Sequence, residues 1–250
     1  MSGQPTVLVI AGSDSSGGAG LSRDLRVLAQ LGVAAVCTIS AVTAQTHGRV
    51  VSVHSIPPEV VRAQLRAALE STAVGAIKIG MLGTAATVRA VADGLSQAGQ
   101  IPIVLDPVLL SSSGGVLLDE AGRAEMRARL FPLATVLTPN IPEAASLCAA
   151  APAVSREERV AQARALLVMG PRAVLLKGGH AEDCEAADLL LMRNAAPQWL
   201  SSPRLNGRSR GTGCALASAI AAGLAQGASV PEACRGARDY VLGMLSGKTS

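Results

Sequence analysis

Short apolar runs alternate along this chain with segments of helical periodicity, and this alternation constrains the fold more than any other feature of the sequence. Runs such as Val7–Ala11 and Ile103–Val108 are apolar at consecutive positions, which is typical of strands buried on both faces. Between the runs, apolar residues recur at helical spacing, as at Leu21, Leu25 and Leu28. The alternation therefore predicts a parallel sheet covered by helices on both faces. No linker, repeat or low-complexity segment divides it, so we expect one domain over residues 1–250.

The predicted strands also indicate where a ligand would bind, because open sheets of this kind bind ligands beyond the carboxyl ends of their strands. The predicted strands are Val7–Ala11, Ala34–Ala41, Val50–Ser55, Ala76–Ile79, Ile103–Val108, Thr135–Leu137, Ala173–Leu176 and Asp188–Met192. The segments that follow these strands are the places to look for functional residues.

Composition excludes several classes of protein. Of the 250 residues, 49% are hydrophobic and 16% are charged, which excludes bulk disorder. One Phe, one Trp and one Tyr provide too few stacking surfaces for single-stranded nucleic acid, and a formal charge of +4 alone gives only non-specific attraction. Five scattered cysteines without a CxxC pair indicate reduced thiols, and no apolar stretch reaches the roughly 20 residues of a membrane span. We therefore expect a cytoplasmic protein without a signal peptide that binds neither nucleic acid nor membrane.

Two glycine-rich segments are candidates for anion binding. Gly12–Gly20 lies between the first strand and its helix, and Gly211-Thr212-Gly213-Cys214 opens the apolar helix that runs to about Gln226. Free backbone N–H groups at such a helix start can hold the negative charge of a transferring phosphoryl group. Cys214 would then lie in the first turn, where the helix dipole lowers the pKa of a thiol and makes it a candidate base or nucleophile. The alternatives are an ordinary strand–helix loop and a buried structural cysteine.

A second group of residues suggests magnesium and phosphate binding. Asn140 and Glu143 follow one strand in Thr138–Glu143, and Asp106 follows a neighbouring strand. An Asn and a carboxylate three residues apart, together with Asp106 at a neighbouring strand end, can hold a hydrated Mg²⁺, which takes few protein ligands and keeps its waters. The alternative is an Asn helix cap with Glu143 in the first turn. Lys177, at another strand end before Gly178-Gly179-His180, can neutralise phosphate charge, or can simply precede a glycine turn.

In chain order, these segments resemble one known family. The segments that carry the resemblance are Gly12–Gly20, Thr43-Ala44-Gln45, Lys78-Ile79-Gly80-Met81-Leu82, Leu105-Asp106-Pro107-Val108, Thr138–Glu143, Lys177-Gly178-Gly179-His180 and Gly211–Cys214. They resemble hydroxymethylpyrimidine/phosphomethylpyrimidine kinases, the thiamine-biosynthesis branch of the ribokinase superfamily. The resemblance covers nearly the whole chain. It implies a ribokinase-like three-layer α/β/α sandwich with a mostly parallel sheet.

The resemblance also implies an activity and a set of site residues. The activity is transfer of the ATP γ-phosphoryl group to 4-amino-5-hydroxymethyl-2-methylpyrimidine, to its monophosphate, or to both, with ATP and Mg²⁺ as cofactors. The catalytic residues it implies are Gly211, Thr212 and Gly213, as the anion hole, and Cys214, as the base. The substrate-binding residues are Gly12, Asp24, Gln45, Met81 and Val108. The nucleotide-binding residues are Asn140, Lys177, Gly179 and Arg210, and the metal ligands are Asp106 and Glu143. The superfamily further suggests a homodimer.

The sequence departs from the family pattern at a few positions. Arg210 stands where His is usual, Thr46-His47 where Asn-Thr is usual, Gly115 where an acidic residue is common, and Arg23 where a small residue is usual. Arg210 and Arg23 add cations near the expected phosphate path, and guanidinium groups match phosphate oxygens well. Tighter handling of the monophosphate is therefore one hypothesis, with neutral drift or a changed substrate as the alternatives.

Two other functions stay open at this point. Pyridoxal kinases share the superfamily fold and also phosphorylate a hydroxymethyl group on an aromatic ring. A non-catalytic pyrimidine sensor on the same scaffold belongs to a different class, and the anion-hole segment with Asn140 and Glu143 argues against it. A lid over the site is also expected, because water must be kept from the γ-phosphate. By position, the candidates for this lid are Val42–Val51 and Ser111–Leu118.

Overall fold

The computed structural model describes residues 3–46, 48–96, 98–111, 114–178, 185–203 and 210–247. Within these ranges the chain forms a sheet of nine strands. The strands are β1 (Thr6–Asp14), β2 (Ala34–Gln45), β3 (Val50–Ser55), β4 (Ala76–Ile79), β5 (Ile103–Leu105), β6 (Val136–Leu137), β7 (Ala173–Leu176), β8 (Glu185–Met192) and β9 (Gln198–Pro203). Across the sheet they are ordered β3-β2-β1-β4-β5-β6-β7-β8-β9.

The central six strands, from β2 to β7, are parallel, and the strands at the margins are antiparallel. At one edge β3 pairs with β2, and at the other β8 pairs with β7 and with β9. The helices are α1 (Gly20–Gln30), α2 (Pro58–Ser71), α3 (Ala85–Leu95), α4 (Glu120–Glu125), α5 (Ile141–Leu147), α6 (Arg156–Val168), α7 (Thr212–Ala225) and α8 (Val230–Leu245). A π-helical turn (Met126–Leu130) and a 3₁₀ turn (Phe131–Leu133) continue α4. The sheet is therefore mostly parallel, as the sequence predicts.

Both faces of the sheet are covered, as expected from strands without a polar face. Along β1, Val7 and Val9 pack in one apolar cluster with α1, α7 and α8. Leu8 and Ile10 point to the opposite face and pack in a second cluster with α2, α3, α5 and α6. These residues alternate because successive side chains of a strand point to opposite faces. The expected three-layer α/β/α arrangement is confirmed.

The predicted elements need a few corrections. β5 ends at Leu105 rather than at the predicted Val108. Asp106-Pro107 follows Leu105, and proline has no N–H to donate to a neighbouring strand. β9 is not predicted, since its sequence contains Ser and Pro and lacks a continuous apolar run. The short α5 corresponds to the helix-cap alternative for Asn140. No helix in the described part of the chain has the length and apolar character required to cross a membrane.

Candidate active site

The predicted site residues gather at one edge of the sheet. The carboxyl ends of the parallel strands β1, β4, β5, β6 and β7 open there, and the segments after them carry the charged and glycine residues of the motifs. The loop after β1 and the start of α7 meet at this edge, because a Cβ atom on Gly211 would lie 2.5 Å from the Gly18 carbonyl oxygen. Residues far apart in sequence thus form one site, in the place that open parallel sheets use for ligands.

Lys177 is the centre of the charged part of this site. Its Nζ lies 2.8 Å from Asp106 Oδ1 and 3.9 Å from Glu143 Oε2. Thr138 Oγ1 also donates a hydrogen bond of 3.0 Å to Asp106 Oδ1. Burial alone would lower the pKa of Lys177, but the carboxylates of Asp106 and Glu143 more than offset this effect and raise the pKa above its usual value. Lys177 therefore stays a cation, while 14% of its side chain is exposed at the sheet edge.

Glu143 has a structural role in addition to any ligand role. The Asn140 side chain accepts a hydrogen bond from the Glu143 N–H, and Glu143 Oε2 accepts one from the Asn140 N–H, both at 2.8 Å. This capping box begins α5, so the helix-cap alternative from the sequence is present. Burial raises the pKa of Glu143 to about 7, and the neighbouring Asp106 adds to the rise against the opposing effect of Lys177. The cap fixes the carboxylate of Glu143 at the site through Oε2, and Oε1 takes no part in the capping box.

The start of α7 faces this charged cluster. Gly211 caps the helix in the left-handed conformation, with φ +74, and a side chain there would also collide with the preceding glycine-rich loop. A Cβ on Gly213 would lie 3.2 Å from Lys177 Nζ and 3.7 Å from Asp106 Oδ2. The N–H groups of Thr212, Gly213 and Cys214 lack partners within the helix, as in any first turn. N–H groups that have no partner within the helix and an ammonium group thus lie side by side.

Cys214 lies in this first turn, but its pKa differs from the expectation. Burial raises the pKa of the Cys214 thiol to about 11, with smaller contributions in the same direction from Asp24 and Asp106. Lys78 and the N–H of Gly20 act in the opposite direction without reversing the shift. The expectation that the helix start lowers this pKa is wrong, because the dipole acts on a sulfur atom that is largely removed from water. At neutral pH the thiol of the free protein is protonated.

The other half of the site carries the predicted substrate-binding residues. A Cβ on Gly12 would lie 2.9 Å from Met81 Sδ, so the missing side chain leaves room for the methionine. The Gln45 side chain hydrogen-bonds to Asp14, and Ser15 Oγ bridges the backbone N–H and C=O of Gln45 at 2.9 Å each. Val108 is half-buried and follows β5, the strand beside β4 from which Met81 extends. The structure therefore brings Gly12, Met81 and Gln45 to one half of the edge.

One predicted substrate contact is wrong. Asp24 lies in α1 with no exposed surface, and Lys78 Nζ lies 2.7 Å from its Oδ2. Ser218 Oγ donates a hydrogen bond of 2.8 Å to the other oxygen. Both carboxylate oxygens are thus bonded inside the protein. Asp24 cannot contact a substrate, because the helix directs it into the core below the site.

Arg210 lies against the glycine-rich loop. Its Nη1 donates hydrogen bonds to the Thr46 carbonyl oxygen at 2.9 Å and to Ser16 Oγ at 3.3 Å, and its Nη2 lies 3.8 Å from Asp14 Oδ2. These contacts connect the start of α7 to the segments that carry Gln45. The predicted nucleotide contact of Arg210 stays a prediction, and Gly179, the remaining predicted nucleotide-binding residue, lies outside the described residues.

The residues at this edge fit a weakly ligated magnesium ion rather than an all-protein metal site. In the described ranges, no group of three or more His, Cys, Asp or Glu side chains is placed to hold a metal ion. Asp106 and Glu143 provide two carboxylates around one ammonium group. Mg²⁺ is commonly held by one or two carboxylates together with water and substrate phosphates, and this pair matches that pattern.

Comparison with known proteins decides the family. The model of the phosphomethylpyrimidine kinase family matches residues 14–250. The chain belongs to this family. A hydroxymethylpyrimidine/phosphomethylpyrimidine kinase of Streptomyces coelicolor is 44% identical over 243 residues, covering 97% of this chain and 89% of that protein. The protein of the same name from Escherichia coli is 40% identical over 215 residues, covering 86% of this chain and 81% of that protein.

Solved structures confirm the ribokinase-like fold of this family member. The phosphomethylpyrimidine kinase of Clostridium difficile superposes with a TM-score of 0.84 at 32% identity, covering 96% of this chain and 98% of that one. The pyridoxal kinase of Staphylococcus aureus, solved in complex with pyridoxal, gives a TM-score of 0.89 at 30% identity, covering 97% and 88%. The same enzyme has been solved in complex with ADP. The fold is thus shared by kinases named for two different acceptors.

Sequence reasoning on this family member missed residues that shape the site from below. Asp14 accepts hydrogen bonds from the N–H groups of Ser16 and Ala19 and thereby fixes the glycine-rich loop. Partial burial would raise the pKa of Asp14, but these bonds and those from side chains outweigh it and lower the pKa. Lys78 belongs to one of the sequence motifs, but the motif does not indicate its role. The signal that marks it is a lysine between isoleucines in a strand buried on both faces, which demands a buried counter-charge.

Proposed function

We propose that this chain is an ATP-dependent kinase that phosphorylates 4-amino-5-hydroxymethyl-2-methylpyrimidine, its monophosphate, or both. The observation that carries the proposal is the start of α7, where N–H groups without a partner in the helix lie close to the Lys177 ammonium and are followed by Cys214. Phosphoryl transfer needs little covalent chemistry from the protein and depends mainly on positioning and on charge stabilisation. A cluster of fixed donors next to a permanent cation meets that need.

The charged half of the site would bind the nucleotide phosphates. Lys177 and the N–H groups of Thr212 and Gly213 would hold the oxygens of the transferring phosphoryl group, where negative charge develops. Asp106 and Glu143 would hold Mg²⁺. When bound, Mg²⁺ would neutralise phosphate charge. The side chain of Glu143 would be kept in place for this by its capping bond to Asn140.

The apolar half of the site would bind the acceptor. Met81 and Val108 would pack on the pyrimidine ring, a role open to them in a chain with only three aromatic residues. Gln45 would read the aminopyrimidine edge, because an amide offers both a donor and an acceptor. Gly12 would leave the space that Met81 needs to lie against the ring, because a Cβ there would lie 2.9 Å from Met81 Sδ. The hydroxymethyl group would then point to the start of α7.

Cys214 would act as the base that takes the hydroxyl proton. The Cys214→Ala variant should lose nearly all turnover and keep binding of the pyrimidine, because the change removes the thiol and leaves the backbone donors of α7. Cys148→Ala is the control, since Cys148 is another free cysteine of intermediate exposure and lies at the C-cap of α5, outside the predicted site residues. Near-normal turnover of Cys214→Ala would remove Cys214 from the mechanism.

ADP release from Mg-ATP with three acceptors side by side tests the proposed substrate. Turnover of the hydroxymethylpyrimidine or of its monophosphate well above that of pyridoxal would support the proposal, and the ratio of the two would tell which step this chain favours. The 44% identity with a kinase named for both pyrimidines supports this outcome. Preference for pyridoxal would favour the second candidate, which the likeness to the Staphylococcus aureus enzyme supports. Binding of the pyrimidine without any turnover would indicate a sensor.

The resemblance also supports proposals about the state of the protein. We propose a single domain over residues 1–250 and a homodimer in the cytoplasm. One cooperative unfolding transition is expected for a single domain. Light scattering after size-exclusion chromatography should give twice the chain mass of 25.2 kDa. A monomeric mass would contradict the proposed dimer.

A further inference from the structure

Two charged side chains of the described structure have no exposed surface and pair with each other. Lys78 is in the middle of β4 and has no exposed side-chain surface. Its Nζ lies 2.7 Å from Oδ2 of Asp24, which is equally buried. Ser218 in α7 donates its hydroxyl hydrogen to the other oxygen of Asp24 at 2.8 Å. The three side chains connect β4, α1 and α7 inside the layer that these two helices form over the sheet.

Such an arrangement adds little to stability by itself. Removing two charges from water is costly, and apolar side chains of similar volume often stabilise a core as well or better. Val9 and Val104, the neighbours of Lys78 on the adjacent strands, point to the same face, and both are fully buried and apolar, so an apolar residue at position 78 would suit the layer. The ion pair therefore calls for a role other than stability.

The geometry links this pair to Cys214. Ser218 lies one helical turn after Cys214 in α7, and residues four apart share a helix face. A Cβ on Gly80 would lie 2.7 Å from Lys78 Nζ, so this ammonium group approaches the backbone that leads to Met81. The N–H of Gly20, at the start of α1, hydrogen-bonds to Cys214, and one turn further along both helices Ser218 bonds to Asp24. The pair of Asp24 and Lys78 is thus attached to α1 and α7 one helical turn after the residues that hold the thiol.

We propose that Lys78, held by Asp24 and Ser218, is a positioning residue for Cys214, which lies one helical turn before Ser218 in α7. This inference rests on the proposed function, in which Cys214 is the base. In the step, the acceptor O–H bond breaks as its proton passes to Sγ, the acceptor oxygen bonds to the γ-phosphorus, and the bond to the ADP oxygen breaks. Only the fraction of Cys214 that is in the thiolate form can take that proton, so a group that increases this fraction increases the rate.

The charges around Cys214 agree with this role. Lys78 from β4 is the strongest of the groups that lower the pKa of Cys214, and Asp24 from α1 and Asp106 after β5 act in the opposite direction. Lys177, after β7, is a second cation whose charge interacts with the thiol. Burial would lower the pKa of Lys78, but Asp24 in the first place raises it above the usual value and keeps Lys78 charged. Asp24 thus holds the cation, and Lys78 offsets part of the burial effect on the thiol.

The test is the double variant Lys78→Met/Asp24→Asn, which removes both charges and leaves no buried ion unpaired. Alkylation of Cys214 by iodoacetamide, followed by peptide mass spectrometry across a range of pH, reports the thiolate fraction without any need for turnover. We expect the Cys214 alkylation rate at about pH 9 to fall about threefold, because the loss of Lys78 outweighs the loss of Asp24, which acts in the opposite direction. A threefold fall corresponds to a rise of about half a unit in the pKa. In the kinase assay, kcat should fall with little change in KM for ATP or acceptor. Lys78→Arg, which keeps the charge, should recover part of both rates.

The control variant is Arg89→Met/Glu125→Gln, which removes a pair of similar length, 2.8 Å, between partly exposed side chains of α3 and α4. It should leave alkylation of Cys214 unchanged. An unchanged alkylation profile in a folded Lys78→Met/Asp24→Asn variant would overturn the inference, whatever its kinase activity. An altered profile in a protein whose wild type shows no kinase activity would instead contradict the proposed function and leave the link between Lys78 and the thiol standing.

Discussion

Two lysines of this molecule have nearly the same pairing geometry in different surroundings. Lys78 in β4 and Lys177 after β7 each bring Nζ within 2.7 or 2.8 Å of a carboxylate oxygen, and both pKa values are raised. The side chain of Lys78 is fully buried with one acidic partner, Asp24. The side chain of Lys177 is 14% exposed and lies near two, Asp106 and Glu143. The difference is a matter of position along the strand, since one lysine is within its strand and the other follows the last strand residue.

This difference separates support of the site from contact with a ligand. An ammonium group inside the sheet can reach a ligand only through its field, whereas one at the sheet edge can bond directly to phosphate oxygens. The carboxylates around Lys177 outnumber it, which leaves net negative charge for a metal ion. The carboxylate beside Lys78 is single and is fully bonded. Removal of Lys78 is therefore expected to lower mainly the stability of the protein, and removal of Lys177 to lower mainly its turnover.

The largest expected effect is the loss of stability in Lys78→Met. The change leaves Asp24 buried beside a methionine, and removing one partner of a buried pair costs about 3–5 kcal/mol. The urea midpoint of this variant should therefore fall clearly, and that of Lys177→Met should fall less, because Lys177 reaches the surface. Equal losses in the two variants would show that the exposure of Lys177 does not distinguish the pairs.

The next largest effect is the loss of turnover in Lys177→Met. Removing one fixed donor that faces developing charge typically costs about 10²–10³ in kcat. Lys177→Met should lose this much in ADP release at saturating Mg-ATP while it remains folded by circular dichroism. The matched control is Arg172→Met, because Arg172 is an exposed cation just before β7, at the opposite end of the strand from Lys177. Unchanged kcat in Lys177→Met would contradict the proposed phosphate contact.

The sequence predicts the fold and the residues of the site better than it predicts which of those residues are buried. Strands without a polar face and helices with one apolar face are local patterns, so the sheet and its two helical layers follow from them. The gathering of Asp106, Glu143 and Lys177 follows from their positions after parallel strands. Burial is not local, however. It places Asp24 below the site instead of in it, and it raises the pKa of Cys214 where the helix start alone suggests a lower one.

A smaller effect is expected in the pH dependence of stability in the absence of Mg²⁺. The pKa of Glu143 is raised from 4.5 to about 7, so the folded protein binds a proton there that the unfolded chain has already released. The free energy of unfolding contributed by Glu143 therefore falls as the pH rises from about 4.5 to about 7 and is level above that range. Glu143→Gln should remove this decline and keep the cap of α5, because glutamine also completes a capping box.

Urea unfolding of the wild type and of Glu143→Gln across this pH range, with EDTA present, measures the difference between their free energies of unfolding. Other groups titrate in both proteins and cancel in the comparison. A decline of equal slope in wild type and Glu143→Gln would show that the Lys177 ammonium already compensates the buried carboxylate. Lys177 would then neutralise its two acidic neighbours as completely as Lys78 neutralises Asp24.

A third cation extends the comparison to the acceptor half of the site and gives the smallest expected effect. Arg210 is partly exposed, like Lys177. It contacts the backbone of Thr46 and the glycine-rich loop, however, and not a pair of carboxylates. A guanidinium group that reaches the acceptor would favour the monophosphate over the alcohol, because forked N–H donors match phosphate oxygens. Arg210→His should therefore lower the ratio of kcat/KM for the monophosphate to that for the alcohol by about tenfold, the value of one charge-assisted hydrogen bond. Arg26→His, an exposed cation of α1, is the control and should leave the ratio unchanged. If Arg210→His lowers both kcat/KM values together and leaves their ratio unaltered, the role of Arg210 is to connect the glycine-rich loop to α7. The difference between a cation that supports the site and one that contacts a ligand would then apply only to Lys78 and Lys177.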